Sequence, residues 1–187
     1  MAIAQADVLW RPEDDYRVKP TLEEGDVYRP DILAVINAAV DSLSRDLREL
    51  NLDIHGEVMD VADKKRIIQK SNTKNEKRGF EVTRHHLLET AWVATYTHGK
   101  GGRVLGVNSE IDALPGISHA CGHNLIGTAG VAVACAAKAT MEQLDIDGKV
   151  VLLGTPAEEG GFGKVKLWEK GAYKGMDACV MSVTRPA

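Results

Sequence analysis

The sequence predicts an α/β fold, a mixed and partly parallel sheet with flanking helices. Three observations predict it. From residue 103 onward, strand-like and helix-like runs alternate as strand, helix, strand, helix, strand, the order of a sheet built with parallel crossovers. Upstream, the runs 80–84 and 91–97 alternate apolar and polar residues like half-buried strands. An amphipathic helix precedes both, beginning at Pro30.

Taken in order, residues 1–29 show no sustained period and carry Pro12 and Pro20, so an extended or disordered leader is expected there. After Pro30-Asp31, the residues Ile32, Val35, Ile36, Ala39, Val40, Leu43, Leu47 and Leu50 recur at helical spacing, with Asp41, Arg45, Asp46 and Glu49 opposite. Between Gly56 and Arg78 the pattern breaks down into a polar, mostly basic stretch, expected to be a solvated loop or frayed helix. The two alternating runs follow. His98-Gly99-Lys100-Gly101-Gly102 reads as a turn returning into a strand over 103–108, which predicts a hairpin. The Ala-, Val- and Gly-rich run Leu125 to Gln143 suits a helix buried on most sides, with Cys135 as packing. Residues 149–154 read as a buried strand, 164–170 as a short amphipathic helix and 178–182 as another buried strand.

Composition bounds the function. With 187 residues, 44% hydrophobic and 27% charged, the chain is long enough for a sizeable core. A net charge of -4 argues against nucleic acid as a partner. The N-terminus turns charged too soon for a signal peptide, and no apolar run is expected to span a bilayer, so no membrane partner is expected. Three cysteines at unrelated spacings do not make a disulfide framework, which points to a reducing, cytoplasmic location.

The chemistry concentrates in Ser109-Glu110-Ile111-Asp112-Ala113-Leu114-Pro115-Gly116-Ile117-Ser118-His119-Ala120-Cys121-Gly122-His123-Asn124, between a strand and a helix. Cys121 and His123 flank a glycine, so sulfur and nitrogen donors can turn toward one point. The pair Glu158-Glu159 follows the next strand, so both loops are expected at the same edge of the sheet. A hydrolytic metal needs protein ligands, an open position for water and a base, which these groups can supply. Each also has a plainer reading: a lone loop thiol is usually inert, adjacent glutamates are usually solvated, and Cys121 with His123 would also make a nucleophile and base.

Together, Ser109 to Pro115, His119-Ala120-Cys121-Gly122-His123-Asn124 and Gly154-Thr155-Pro156-Ala157-Glu158-Glu159-Gly160-Gly161 resemble the di-metal amidohydrolase and dipeptidase family, metallopeptidase family 20. That family includes aminoacylases, auxin-conjugate hydrolases and carboxypeptidase G; the branch cleaving β-alanyl dipeptides, with the aminobenzoyl-glutamate hydrolases close to it, looks most similar. The resemblance implies that Cys121, His123 and Glu159 are metal ligands and that Glu158 is the general base. It implies that Asp112 orients the ligands, and it gives His119 no ligand role. It implies a divalent metal, zinc first with manganese or cobalt as alternatives, and a small dipeptide or N-acyl amino acid as substrate.

The sequence departs from the family pattern in several places. No His occurs in Ser182-Val183-Thr184-Arg185-Pro186-Ala187, where the family has one. A more distant His ligand and the lid and homodimerisation domain have no counterpart, and 56–78 looks like an atypical insert. The expectation is the first half of a zinc-peptidase-like catalytic domain over residues 30–187, weak or inactive by itself, with a non-catalytic metal-binding or regulatory module as the alternative.

Overall fold

The structure, a computed structural model, describes residues 29–56, 73–114 and 116–184. Apart from Arg29, the leader lies outside the described residues, as does the insert between 57 and 72. Helix α1 (Pro30–Gly56) runs six residues beyond the last apolar position counted in the sequence and buries Leu47, Leu50 and Ile54. Its C-terminal half is therefore the docked part. Residues 73–77 form a helical turn that lies against α1. There Lys74 pairs with Asp53 at 3.1 Å, Arg78 with Asp46 at 3.3 Å, and Asn75 is buried. The solvated loop or frayed helix expected over 56–78 is, at its described end, a packed helical turn. Its basic residues answer Asp46 and Asp53 of α1.

Five strands follow: β1 (Glu81–Arg84), β2 (Trp92–His98), β3 (Arg103–Glu110), β4 (Gly148–Thr155) and β5 (Ala178–Met181). Between them lie α2 (His123–Leu144), a distorted turn α3 (Glu158–Gly161) and α4 (Gly163–Glu169). The sheet order is β1-β2-β4-β3-β5. Strands β1 and β2 are antiparallel, as are β2 and β4, whereas β3 is parallel to both of its neighbours. The mixed, partly parallel sheet predicted from the sequence is the one observed.

The predicted hairpin between β2 and β3 is not formed, because β4 lies between them. Strands on either side of a third are roughly 10 Å apart, too far for a tight turn. The glycines of the 99–102 loop serve another purpose. A Cβ on Gly99 or Gly102 would collide with Asp147, so the loop lies directly on the chain where it enters β4.

One face of the sheet carries the main core, in which Trp92, Ala94, Val107, Val150 and Leu152 meet Leu50 and Ile54 of α1 and Val131, Ala134 and Cys135 of α2. Cys135 is packing, as expected. On the other face Val93, Val151 and Leu153 pack under Ala172, Tyr173 and Met176. Helix α2 is long and apolar enough, by length and composition, to cross a bilayer, contrary to the expectation that no run would be. Half of that window is buried, and Val131, Ala134, Cys135 and Met141 lie in the core, so the apolarity belongs to a helix packed between α1 and the sheet. Strand β5, expected to be buried, is exposed at all four residues. Among the described residues it pairs only with β3, and with Val165, Trp168 and Tyr173 it borders an apolar cavity of about 410 Å³.

The junction of β3 and α2 is tight. Ser109 Oγ donates to the Gly127 carbonyl at 3.0 Å, and a Cβ at Gly127 would stand 2.7 Å from the Ile111 Cγ2 methyl and 2.8 Å from the Glu110 carbonyl oxygen. Gly127→Ala is expected to cost about 1–3 kcal/mol, the usual range for overpacking. Gly56→Ala, where nothing lies within 4 Å, is expected to be neutral or slightly stabilising. Urea unfolding of both variants checks this; equal midpoints would contradict the close approach.

Candidate metal centre

Parallel strands β3 and β4 deliver their following loops to the same edge, their carboxyl ends. After β3 the chain places Asp112, then loops through His119 and Cys121 into α2, whose first residue is His123. Gly122 precedes α2 with φ near 80°, and Thr184 packs against its open side. The Thr184 hydroxyl donates to the Cys121 carbonyl at 2.8 Å, so the segment after β5 closes on the loop at this point. After β4, Ala157 takes a left-handed conformation and turns the chain so that Glu158 and Glu159 face the site. A non-glycine residue held there costs on the order of 1–2 kcal/mol.

Cys121, His123 and Glu159 converge: one ligand atom from each lies within 4.8 Å of the others. The thiol is half-buried, the imidazole buried and the carboxylate exposed, so the cluster has a solid floor and an open mouth. Asp112 holds the imidazole. His123 Nδ1 donates to the Asp112 carbonyl at 3.0 Å and lies 3.2 Å from Asp112 Oδ1. That leaves Nε2 facing the cluster, 3.7 Å from Glu159 Oε1. Asp112 Oδ2 also accepts from the Glu159 amide at 3.2 Å, so one carboxylate aligns two of the three groups. Sulfur, imidazole nitrogen and carboxylate oxygen form a donor set suited to zinc, and a histidine whose other nitrogen is fixed is the arrangement metal-binding imidazoles use.

Burial alone would lower the pKa of His123. The hydrogen bond and charge of Asp112, with the charge of Glu110, outweigh it and raise the pKa. Burial likewise pushes Asp112 up, but the His123 hydrogen bond and the Glu159 and Glu158 amides outweigh it, and the net shift is down. His119 behaves differently. It is buried, and its pKa is lowered mainly by that burial. Its Nε2 donates to the Ile54 carbonyl at 3.0 Å, pointing to the last turn of α1. His119 therefore ties the loop to α1 and is not part of the cluster. Asn124 ties α2 to α1 in a similar way, through Asn51.

Two residues that sequence reasoning did not assign complete the site. Glu110, the last residue of β3, is 2% exposed, with Oε2 3.4 Å from His123 Nε2. Lys164, in the first turn of α4, puts Nζ 2.6 Å from Glu110 Oε1 and 3.3 Å from Glu158 Oε1. Its amide donates to Glu158 Oε2 at 3.2 Å. Burial lowers the Lys164 pKa, and the hydrogen bonds and charges of Glu110 and Glu158 more than restore it, so the ammonium stays charged. The spacing of Glu110 and Asp112, two apart at a strand end and so on one side of it, is a signal that could have found the first. Nothing in the sequence pointed to Lys164.

Residues 106–187 match the family model of peptidase family M20/M25/M40, a span beginning inside β3 and containing both site loops. Over that stretch the chain is similar to the M20 peptidases. The Xaa-Arg dipeptidase of Mus musculus is 44% identical over 110 residues, covering 55% of this chain and 26% of that protein. A component of the p-aminobenzoyl-glutamate hydrolase of Escherichia coli (strain K12) is 37% identical over 123 residues, covering 56% of this chain and 25% of that protein. Among solved structures, the Bacillus subtilis YXEP protein, described as a dinuclear metal-binding peptidase from the M20 family, superposes with a TM-score of 0.64 at 22% identity. That superposition covers 74% of this chain and 42% of that one, and it shows the M20 fold. The chain spans about a quarter of the length of these two curated relatives.

In the metal-free protein the His123–Asp112 pair has a defined pH window. A raised His123 pKa adds stability that is complete below about pH 6.5 and lost as pH rises through the folded value. A lowered Asp112 pKa adds stability present above about pH 4 and lost as pH falls through its folded value. With chelator present, the stability difference between the wild type and Asp112→Asn is expected to peak near pH 5 and shrink on either side. Urea midpoints across pH 3–9 measure it, and a difference independent of pH would exclude the pair.

Proposed function

We propose that this chain carries the metal- and base-bearing part of a hydrolase that cleaves an amide bond in a dipeptide or N-acyl amino acid. The observation that carries this is the convergence of Cys121, His123 and Glu159 beside Glu158 at the carboxyl edge of the sheet. The names of the relatives agree in chemistry: a dipeptidase, an aminobenzoyl-glutamate hydrolase and an N-acetyl-L-cysteine deacetylase all act on an amide borne by an amino acid.

In this reading Cys121, His123 and Glu159 hold a divalent ion, with zinc the best match to a sulfur, nitrogen and oxygen set. When bound, the ion would polarise the scissile carbonyl and make a water more acidic. Glu158 takes the proton of the attacking water and passes it to the leaving amine. Asp112 keeps the His123 ring in one tautomer and orientation. The apolar cavity beside Lys164 offers room for an apolar part of the substrate. The three free thiols, Cys121, Cys135 and Cys179, accord with a reducing compartment, the cytoplasm in this reading.

A second reading, metal binding without turnover, draws support from one feature. Both oxygens of Glu158 are already engaged by Lys164, which opposes a role as a free base. Turnover by this chain alone is accordingly expected to be slow.

Zinc calorimetry and hydrolysis of an Xaa-Arg dipeptide separate the two readings. Cys121→Ser and His123→Ala are expected to abolish tight zinc binding. Glu158→Gln is expected to leave binding within about twofold and to lower turnover by roughly a hundredfold or more, the range for a lost general base. Hydrolysis that survives a chelator, or is indifferent to Glu158→Gln, would sink the hydrolase assignment. Zinc binding with no hydrolysis at all would leave the binding module.

A further inference from the structure

Of the three groups that converge at this edge, Asp112 aligns two, the His123 ring and the Glu159 amide. Cys121 is held differently, through its backbone. Two residues upstream, His119 ties the loop to α1, and the Gly122 amide donates back to the His119 carbonyl at 2.9 Å. The first carbonyl of α2 to accept a helical bond is that of Gly122, from Leu125 and Ile126. The Cys121 carbonyl, one residue earlier, stands outside that ladder and takes its donor from elsewhere. The Thr184 hydroxyl is that donor, at 2.8 Å.

Topology brings Thr184 to this point. Strand β5 is parallel to β3, so the segment leaving β5 reaches the same edge as the loop leaving β3. The contact has a second part. The Thr184 Cγ2 methyl lies 2.6 Å from where a Cβ on Gly122 would stand, so only glycine leaves room for it. We propose that Thr184 is the positioning residue for the Cys121 thiol, fixing the peptide plane between Cys121 and Gly122 as Asp112 fixes His123 and Glu159. The inference rests on the metal-binding reading of Cys121, His123 and Glu159. Thr184 supplies no ligand in this role. It narrows the positions open to the sulfur, as partners behind the ligands do at metal sites.

Cobalt(II) titration of the reduced chain tests this, because the thiolate-to-cobalt absorption band reports on the Cys121 sulfur, with Cys121→Ser as the control that removes it. Zinc affinity, measured by competition, is the second readout. Thr184→Val keeps the shape and removes the hydroxyl, whereas Thr184→Ser keeps the hydroxyl and removes the methyl. Thr184→Val is expected to weaken zinc binding about three- to tenfold, the scale of one lost hydrogen bond, with Thr184→Ser within about twofold of the wild type. The thiolate band at cobalt saturation is expected to diminish in Thr184→Val and to persist in Thr184→Ser. Wild-type affinity with an undiminished band in Thr184→Val overturns the inference and leaves the metal-binding reading standing. Equal losses in the two variants assign the effect to packing on Gly122 and overturn it too. No metal bound by the wild type removes that reading and this inference with it. Thr184 is exposed, so the variants are expected to fold, which thermal unfolding checks. Should Thr184→Val not fold, Thr184→Ala must show the same loss.

Discussion

Burying Glu110, Asp112 and His123 together at the end of β3 and the start of α2 is the condition that the rest of the structure has to meet. Each buried ion carries a desolvation penalty of several kcal/mol, recovered only if its remaining hydrogen-bonding positions are filled. Asp112 accepts from the Glu159 amide and pairs with the His123 ring, and Glu110 pairs with His123 and Lys164, so the neighbouring charges offset part of that penalty even though Asp112 Oδ1 and Glu110 Oε1 make no hydrogen bond. Three separate segments must therefore arrive at one point: the loop after β3, the turn after β4 and the first turn of α4. The parallel β3–α2–β4 crossover makes this possible by bringing both loops to one edge. An antiparallel arrangement of the same strands would place them at opposite ends.

The fold is legible in the sequence wherever a local pattern has only one structural meaning. The apolar runs of β3, α2 and β4 fix their own types, and their order implies the crossover. The 98–102 turn misleads because a glycine-rich loop between two strands looks the same in sequence whether the strands are neighbours or are separated by a third. What decides it is β4, supplied some fifty residues later, and the glycines answer to Asp147 rather than to strand twist. Strand β5 misleads for a related reason. Ala-Cys-Val-Met is as apolar as a central strand, yet burial depends on having neighbours on both sides, and among the described residues β5 has one. The packed turn at 73–77 is hidden because its partners are the acids of α1, and charge complementarity between distant segments leaves no local period.

The candidate site divides in the same way. Cys121, His123, Glu158 and Glu159 are recognisable because each stands in a short string of chemically unusual neighbours. Asp112 is recognisable for the same reason. Glu110 stands in the same string but reads as the ordinary polar end of a strand, and only its burial singles it out. Lys164 reads as one more lysine on an amphipathic helix. Its part in the site comes from a contact with Glu110 that no spacing encodes. Groups that bind or react are constrained by chemistry and leave a sequence signature, whereas groups that compensate charge need only the right sign at the right place.

The same distinction explains why the family match and the fold likeness cover different parts of the chain. The family model begins at residue 106, inside β3, while the superposition on the YXEP protein covers 74% of the chain. What α1 must supply is apolar volume at Leu47, Leu50 and Ile54, and many sequences provide that at the cost of modest repacking. On the metal-binding reading proposed above, what the loops after β3 and β4 supply is a thiol, an imidazole and carboxylates at fixed positions, for which few substitutes exist. The two polar ties across the boundary, His119 to the Ile54 carbonyl and Asn124 to Asn51, show how the permissive part holds the strict one in place. One of them uses a backbone acceptor that any residue at position 54 would offer. The helix can therefore vary in sequence and still fix the loop that carries the chemistry.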